Sequence, residues 1–254
     1  MFRRLLFVLA LAVSAPVLAS RPAPPLVALQ LVDRDAAQAL PEYRHRGQAW
    51  VAGTPGHRYA VRLTNTTGER VLVVLSVDGV NAVSGETAAP SQAGYVLGPW
   101  ESAEIAGWRK SLDDIAQFVF TDLAGSYAAR TGRPDNVGVV GIAVFRERQR
   151  RPLPPPLAAS PQAKAAGASA DRAMASEAMP QRIGTGHGPR EWAPVGQTTF
   201  ERSSSAPQQL SQLRYDSVDA LVALGVLPRH RLADSHNPPR AFPAGFVPDP
   251  PLNP

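Results

Sequence analysis

Cysteine is absent from all 254 residues, which excludes a thiol nucleophile, a disulfide framework and any lipid attached at a cysteine. Folding must therefore rest on an apolar core. Neither Gly-x-Ser-x-Gly nor His-Glu-x-x-His occurs anywhere, so the serine-hydrolase elbow and the zinc-protease helix are both missing. The histidines stand apart at 45, 57, 187, 230 and 236. His230 and His236 alone fall well short of the roughly four ligands that a structural zinc takes. No metal and no cofactor is expected. A strong charge is lacking too: the formal net charge is +5, and Arg3 and Arg4 supply two of those units, leaving +3. Without a clustered basic face, nucleic acid is not an expected partner. No apolar run approaches the roughly 20 residues that cross a bilayer.

What is present begins with an export pattern. Arg3 and Arg4 form a positive start, Leu5 to Val13 an apolar stretch, and Val17-Leu18-Ala19 a cleavage sequence, which together predict a signal peptide over 1–19. The mature chain is then expected to be periplasmic or secreted, with no transmembrane segment after cleavage. The chain has 26 prolines, and they gather at the ends and in the middle of the mature sequence. This segregation predicts a β-sandwich domain over 20–147 and a disordered Pro/Ala-rich linker over 148–182. Docked strands and a short helix are expected over 183–228, and a Pro-rich mobile tail over 229–254.

From Leu26 to Glu147 short apolar runs alternate with turn residues, a β pattern. Tyr59, Val61 and Leu63 alternate with Ala60, Arg62 and Thr64, so one face meets a core. Val71 to Val77 is apolar on both faces and belongs inside a sheet. Asp78-Gly79 closes that run as a tight hairpin turn. Further strands are expected at Leu26–Val32, Gln48–Val51, Tyr95–Leu97, Ala103–Ala106, Ile115–Thr121 and Gly138–Arg146, with a turn at 111–114. In the C-terminal part, Gln197–Arg202 and Leu210–Tyr215 read as strands. Asp216 or Ser217 would then cap a helix whose Val218, Leu221 and Val222 share a face. Gly225 and Pro228 would end it. The pattern predicts an all-β, antiparallel β-sandwich, jelly-roll or immunoglobulin-like. The C-terminal strand-plus-helix segment is too small to fold alone, so it is expected to dock on a sheet edge and cover an apolar face.

Several strings stand out: Val77-Asp78-Gly79-Val80-Asn81, Gly94 to Trp100, Gly107-Trp108-Arg109-Lys110-Ser111, Ser126 to Pro134, Asn136 to Gly141, Gly184-Thr185-Gly186-His187-Gly188 and Tyr215-Asp216-Ser217. Together they resemble a group of exported bacterial proteins for which no activity is known. The resemblance covers about Val51 to Phe145 and Ile183 to Pro228, and skips the linker. It implies domain limits and no chemistry.

Two sets of residues are candidates for function. Trp100, Trp108, Arg109, Lys110, Arg130 and Arg133 fall on or near expected loops, where binding surfaces on a rigid sandwich usually lie. Aromatic rings beside guanidinium groups suit sugars, carboxylates or anionic glycans. The same residues also fit a structural reading in which Trp108 plugs the core. The first functional reading is a binding or assembly module for an envelope component or glycan, of unknown oligomeric state. The second is a hydrolase of cell-envelope polymers, in which His187 between its glycines works with Asp78, Asp113 or Asp135. The alternative for His187 is a glycine-rich turn. A third reading is an envelope structural protein whose linker spans a gap between partners.

Overall fold

The computed structural model describes residues 24–149 and 183–228. The expected signal peptide, the linker beyond residue 149 and the C-terminal tail lie outside the described residues.

Fourteen strands follow one another as β1 (Val27–Asp33), β2 (Gln38–Ala39), β3 (Glu42–His45), β4 (Gln48–Gly53), β5 (Arg58–Asn65), β6 (Val71–Val77), β7 (Val80–Asn81), β8 (Tyr95–Leu97), β9 (Ser102–Ile105), β10 (Gly107–Arg109), β11 (Asp114–Asp122), β12 (Val139–Arg146), β13 (Ile183–Trp192) and β14 (Gln209–Ser217). Two short α-helices, α1 (Tyr127–Arg130) and α2 (Val218–Ala223), and one 3-10 turn of helix at Pro134–Asn136 complete the described fold. The strands form two seven-stranded sheets. One runs β10-β11-β5-β1-β2, with β13 paired to β11 and β9 to β5; the other runs β3-β4-β14-β12-β6-β7, with β8 paired to β6. The architecture is an all-β sandwich.

The all-apolar run of β6 lies inside its sheet, between β12 on one side and β7 with β8 on the other. Every residue of it except Ser76 is buried. Tyr59, Val61 and Leu63 of β5 are fully buried between the sheets as the alternation predicts; on the other face Arg62 and Thr64 are partly exposed, but Ala60 is buried as well. Tyr59 stacks on Phe120 with ring centroids 4.2 Å apart, and Phe118 and Tyr215 join the same cluster. Each such fully buried side chain is worth about 1.5–3 kcal/mol of apolar transfer. At Asp78-Gly79 both residues have positive φ, 53° and 74°, as the mirror-image hairpin turn requires.

The C-terminal segment departs from a simple edge addition. β13 does lie along β11, antiparallel. β14, however, is inserted between β12, antiparallel, and β4, parallel, so the second sheet is mixed. The expected strand over 197–202 is absent. That segment instead crosses the outer face of the second sheet as a strap and touches it through one isolated bridge, Glu147 to Arg202. Its hold comes from side chains. The Arg202 guanidinium sits 4.1 Å from the Phe145 ring centroid and donates to the Pro90 and Gln92 carbonyls at 2.9 and 2.6 Å. Phe200 packs on Leu72, Val74, Ala143 and Phe145. In α2, Ser217 is the N-cap. Leu221 is buried with Ala220, whereas Val218 is half exposed, so the expected Val218-Leu221-Val222 face is not the one that packs.

Candidate functional site

On one flank of the sandwich two strands from opposite sheets face each other without pairing. Among the described residues β8 bonds only to β6, and β9 bonds only to β5. The strap begins at Ala193 as the continuation of β13 and is pinned by the Ala193 and Val195 N–H groups, which donate to the Asp113 and Leu112 carbonyls at 2.7 and 2.9 Å. Between these walls lies a groove of about 1160 Å³, more than the roughly 300–1000 Å³ of a pocket for a drug-sized ligand. Its lining combines apolar side chains of β8, β9 and Val195 with Glu101, Glu104, Arg109 and Lys110.

The charged lining residues differ in how they are held. Glu104 accepts from Arg62 Nε at 2.9 Å, and Glu101 Oε2 accepts from the Gly98 N–H at 2.6 Å. Arg109 donates to the Ala193 carbonyl, to the Leu112 carbonyl at 3.4 Å and to the Tyr95 hydroxyl at 3.4 Å. Burial pushes the Tyr95 phenol above its ordinary value, with Arg109 acting in the opposite direction. Arg109 thus braces the strap against β8, and its positive charge meets no carboxylate among the described residues. Lys110 is exposed, and its side chain has no hydrogen bond or ion pair among the described residues.

Of the six expected contact residues, only Arg109 and Lys110 line this groove. Trp108 is a correction: it is 3% exposed and packs edge-on against Phe118 at 4.8 Å, because its ring completes the core beside Tyr127. Trp100 projects from a turn at 69% exposure with φ 59°, and no part of it lines the groove. Arg130 and Arg133 belong to the α1 region, where Arg133 lies 5.9 Å from the Tyr127 ring and bonds Thr131 at 3.0 Å. The six therefore do not form one surface. The groove residues Tyr95, Glu101 and Glu104 and the 193–199 wall were not anticipated. Their only trace in the sequence is that both flanking strands are short.

No match is found among protein-family models, curated proteins or solved structures.

Asp78, His187 and Asp33 remain to be placed. Asp78 is fully buried where the β6–β7 turn meets β13. Its Oδ1 accepts from the Gly138 N–H at 2.8 Å and from the Tyr215 hydroxyl at 2.7 Å, and its Oδ2 accepts from the Thr185 N–H at 2.7 Å. Thr185 Oγ1 continues the chain to Tyr215 and Tyr59, at 2.6 and 2.5 Å. Burial raises the Asp78 carboxyl to about 6, despite the donors around it. This network ties the two sheets together, and its carboxylate oxygens are occupied.

His187 lies in β13 opposite Phe118, not in a turn. Its exposed ring rests 5.8 Å from Tyr127 and meets no carboxylate among the described residues. Asp113 is exposed in a bend and Asp135 is exposed in a short 3-10 helix, Pro134–Asn136, so the geometry lends no support to pairing His187 with Asp78, Asp113 or Asp135. The glycines around it answer to crowding. A Cβ on Gly184 would meet Val137 at 2.5 Å and Ser126 at 2.6 Å, and one on Gly188 would meet Val119 at 2.7 Å.

Asp33, Asp35 and His57 bring one potential metal-ligand atom each within 4.8 Å of the others. The side chains are already engaged: Asp35 with Arg58, whose Nε donates at 2.8 Å, and Asp33 Oδ1 with the Asp35 and Ala36 N–H groups, both at 2.9 Å. His57 Nδ1 is 2.7 Å from Asp33 Oδ2. The adjacent guanidinium opposes a second cation, so the cluster fits an ion-pair network better than a metal centre.

Proposed function

We propose that the protein is an exported binding or assembly module, periplasmic or secreted, which holds an envelope component in the lateral groove and performs no turnover. The observation that carries this reading is the pair Arg109 and Lys110 in the groove wall. Two cationic side chains face a large open channel, and no carboxylate among the described residues is bonded to either. A fixed guanidinium beside a free ammonium is a receptor for a carboxylate or another anionic group. The rigid sandwich supplies the pre-organisation that keeps the cost of binding low. The amino-terminal export pattern and the resemblance to exported proteins support the location. No helix among the described residues is long and apolar enough to cross a membrane.

The test is recovery of partners from a cell-envelope extract by immobilised wild-type protein and by Lys110→Glu. Lys110 bonds nothing through its side chain among the described residues, so its reversal leaves the fold intact and changes the sign of charge at the groove. Loss of a recovered component with Lys110→Glu is the expected result. Equal recovery by both proteins removes the groove from the binding surface.

A further inference from the structure

We infer that the groove accepts an extended polypeptide segment of a partner protein, which adds as a strand to the free edge of β9 and sets an acidic residue against Arg109 and Lys110. This deepens the reading of the groove as the binding surface and rests on it.

The main-chain geometry points to a strand as the ligand. The Asn65 N–H donates to the Glu101 carbonyl at 2.8 Å, which marks those two residues as a hydrogen-bonded pair. Antiparallel pairs alternate, so with the register Leu63–Ala103 and Val61–Ile105 the bonded positions of β9 are 103 and 105. Ser102 and Glu104 then direct their N–H and C=O groups away from β5, where no other strand of the described fold takes them up. The Glu104 side chain is tied to Arg62 and leaves that edge open. Opposite it, β8 is paired on one side only. In the strap no hydrogen bond engages the N–H groups of 196 to 199 among the described residues. Two half-paired strands and the unbonded N–H groups of the strap surround the space, and such a site is completed by a further extended chain.

The side chains argue against a sugar. Trp100 and Trp192 are the exposed tryptophans, at 69% and 58%, and neither lines the groove. The one aromatic residue there, Tyr95, has its hydroxyl engaged by Arg109 and offers no open stacking platform. The charge also has a direction. Glu104, on β9, is neutralised by Arg62, while Arg109 and Lys110, following β9 in the chain, have no ion-pair partner among the described residues. An incoming strand is therefore favoured when its acidic residue, or its own carboxyl terminus, reaches that end. At about 3.3 Å per residue the four residues of β9 give an edge of about 13 Å, enough to pair a short segment and too short to invite indiscriminate sheet extension.

A library of short random peptides displayed on phage is selected against the full chain. An enriched peptide is then synthesised and titrated by fluorescence anisotropy against wild type, Glu104→Pro, Glu104→Gln and Lys110→Glu. Proline is tolerated at an outward-facing edge position, and Glu104→Gln controls for the Arg62 ion pair. Expected results are binding weakened about tenfold or more by Glu104→Pro and by Lys110→Glu, and changed less than about twofold by Glu104→Gln. The same peptide with alternate main-chain nitrogens methylated, titrated against wild type, gives an equivalent loss and does not depend on any variant folding. Failure to enrich a peptide overturns the inference. So does an enriched peptide that binds as well when methylated, or binds Glu104→Pro like wild type. A peptide sensitive to Lys110→Glu but not to methylation leaves the groove as a binding surface and removes strand addition. An anionic envelope glycan bound through Lys110, with no peptide enriched, does the same.

Discussion

Tyr215, in the strand contributed by the C-terminal segment, donates its hydroxyl to Oδ1 of Asp78 in the β6–β7 turn at 2.7 Å, wholly out of contact with solvent. Burial raises the Asp78 carboxyl from 3.8 to about 6, so the folded protein binds this proton more tightly than the unfolded chain does. The stability that Asp78 contributes is therefore complete below about 3.8 and is lost as pH rises through about 6. The shift corresponds to about 3 kcal/mol. Urea unfolding of wild type and Asp78→Asn at intervals between pH 4 and 7 checks this. The wild-type advantage over Asp78→Asn is expected to shrink with rising pH across that window. An advantage that grows, or stays constant, contradicts the assignment.

The glycines of β13 should respond unequally to alanine. At Gly184 the new methyl would lie 2.6 Å from the Ser126 Cβ and 2.5 Å from Val137, whereas at Gly186 the nearest atom is the Thr121 methyl at 3.2 Å. Overpacking of a fixed neighbour costs about 1–3 kcal/mol, and a few tenths of an ångström of relaxation costs less. Thermal unfolding should thus show Gly184→Ala clearly destabilised and Gly186→Ala close to wild type.

These glycines also show where the sequence could and could not be read. Gly184, Gly186 and Gly188 recur with period two, which is a strand signature. They suggest a turn when taken as a glycine cluster, because the crowding that explains them comes from Ser126, Val137 and Val119, distant in the chain. Local chemistry was legible: the doubly apolar β6, the Asp78-Gly79 turn and the Ser217 cap follow from neighbouring residues alone. Placement across the fold was not. Nothing near Leu210 says that β14 lies between β4 and β12, or that it runs parallel to β4. For the same reason Trp108 reads equally as a contact or a core residue, and the groove is invisible until β8 and β9 are known to be unpaired edges. Arg109 and Lys110 could be chosen from their charge and loop position, while Tyr95 and Glu104 acquire meaning only from the topology.

At the β1–β5 end, Asp33 is 3% exposed and accepts two backbone N–H groups beside His57. Burial works to raise its carboxyl, but the Ala36 N–H, His57 and the Asp35 N–H together hold it below the ordinary carboxylate range. The sign is the reverse of that at Asp78. This contribution is present above the unfolded value near 3.8 and is lost as pH falls below it. Asp33→Ala is expected to cost about 1–3 kcal/mol at neutral pH, chiefly by orphaning those donors. The difference from wild type should narrow in denaturant unfolding below pH 4. An undiminished difference there would show that packing, not charge, sets the cost.

The insertion of β14 has a consequence for assembly of the chain. β14 bonds to both β12 and β4 and supplies Tyr215 to the core, and β13 covers β11 along most of its length. A protein ending at residue 149 would leave the edges of β4 and β12 open toward each other and Asp78 without its Tyr215 and Thr185 donors. A buried carboxylate deprived of its partners and a split sheet together exceed what a domain of this size tolerates. The truncated chain should therefore show no cooperative thermal transition. Adding a separate fragment of residues 183–228 should restore one, with a midpoint that rises with fragment concentration as mass action demands. Conversely, cutting the intact protein between residues 150 and 182 should leave the two pieces together on a sizing column in native buffer and release them in urea. A truncated chain that unfolds cooperatively without the fragment would show that the second sheet closes without β14, and the role given to Tyr215 would fall with it.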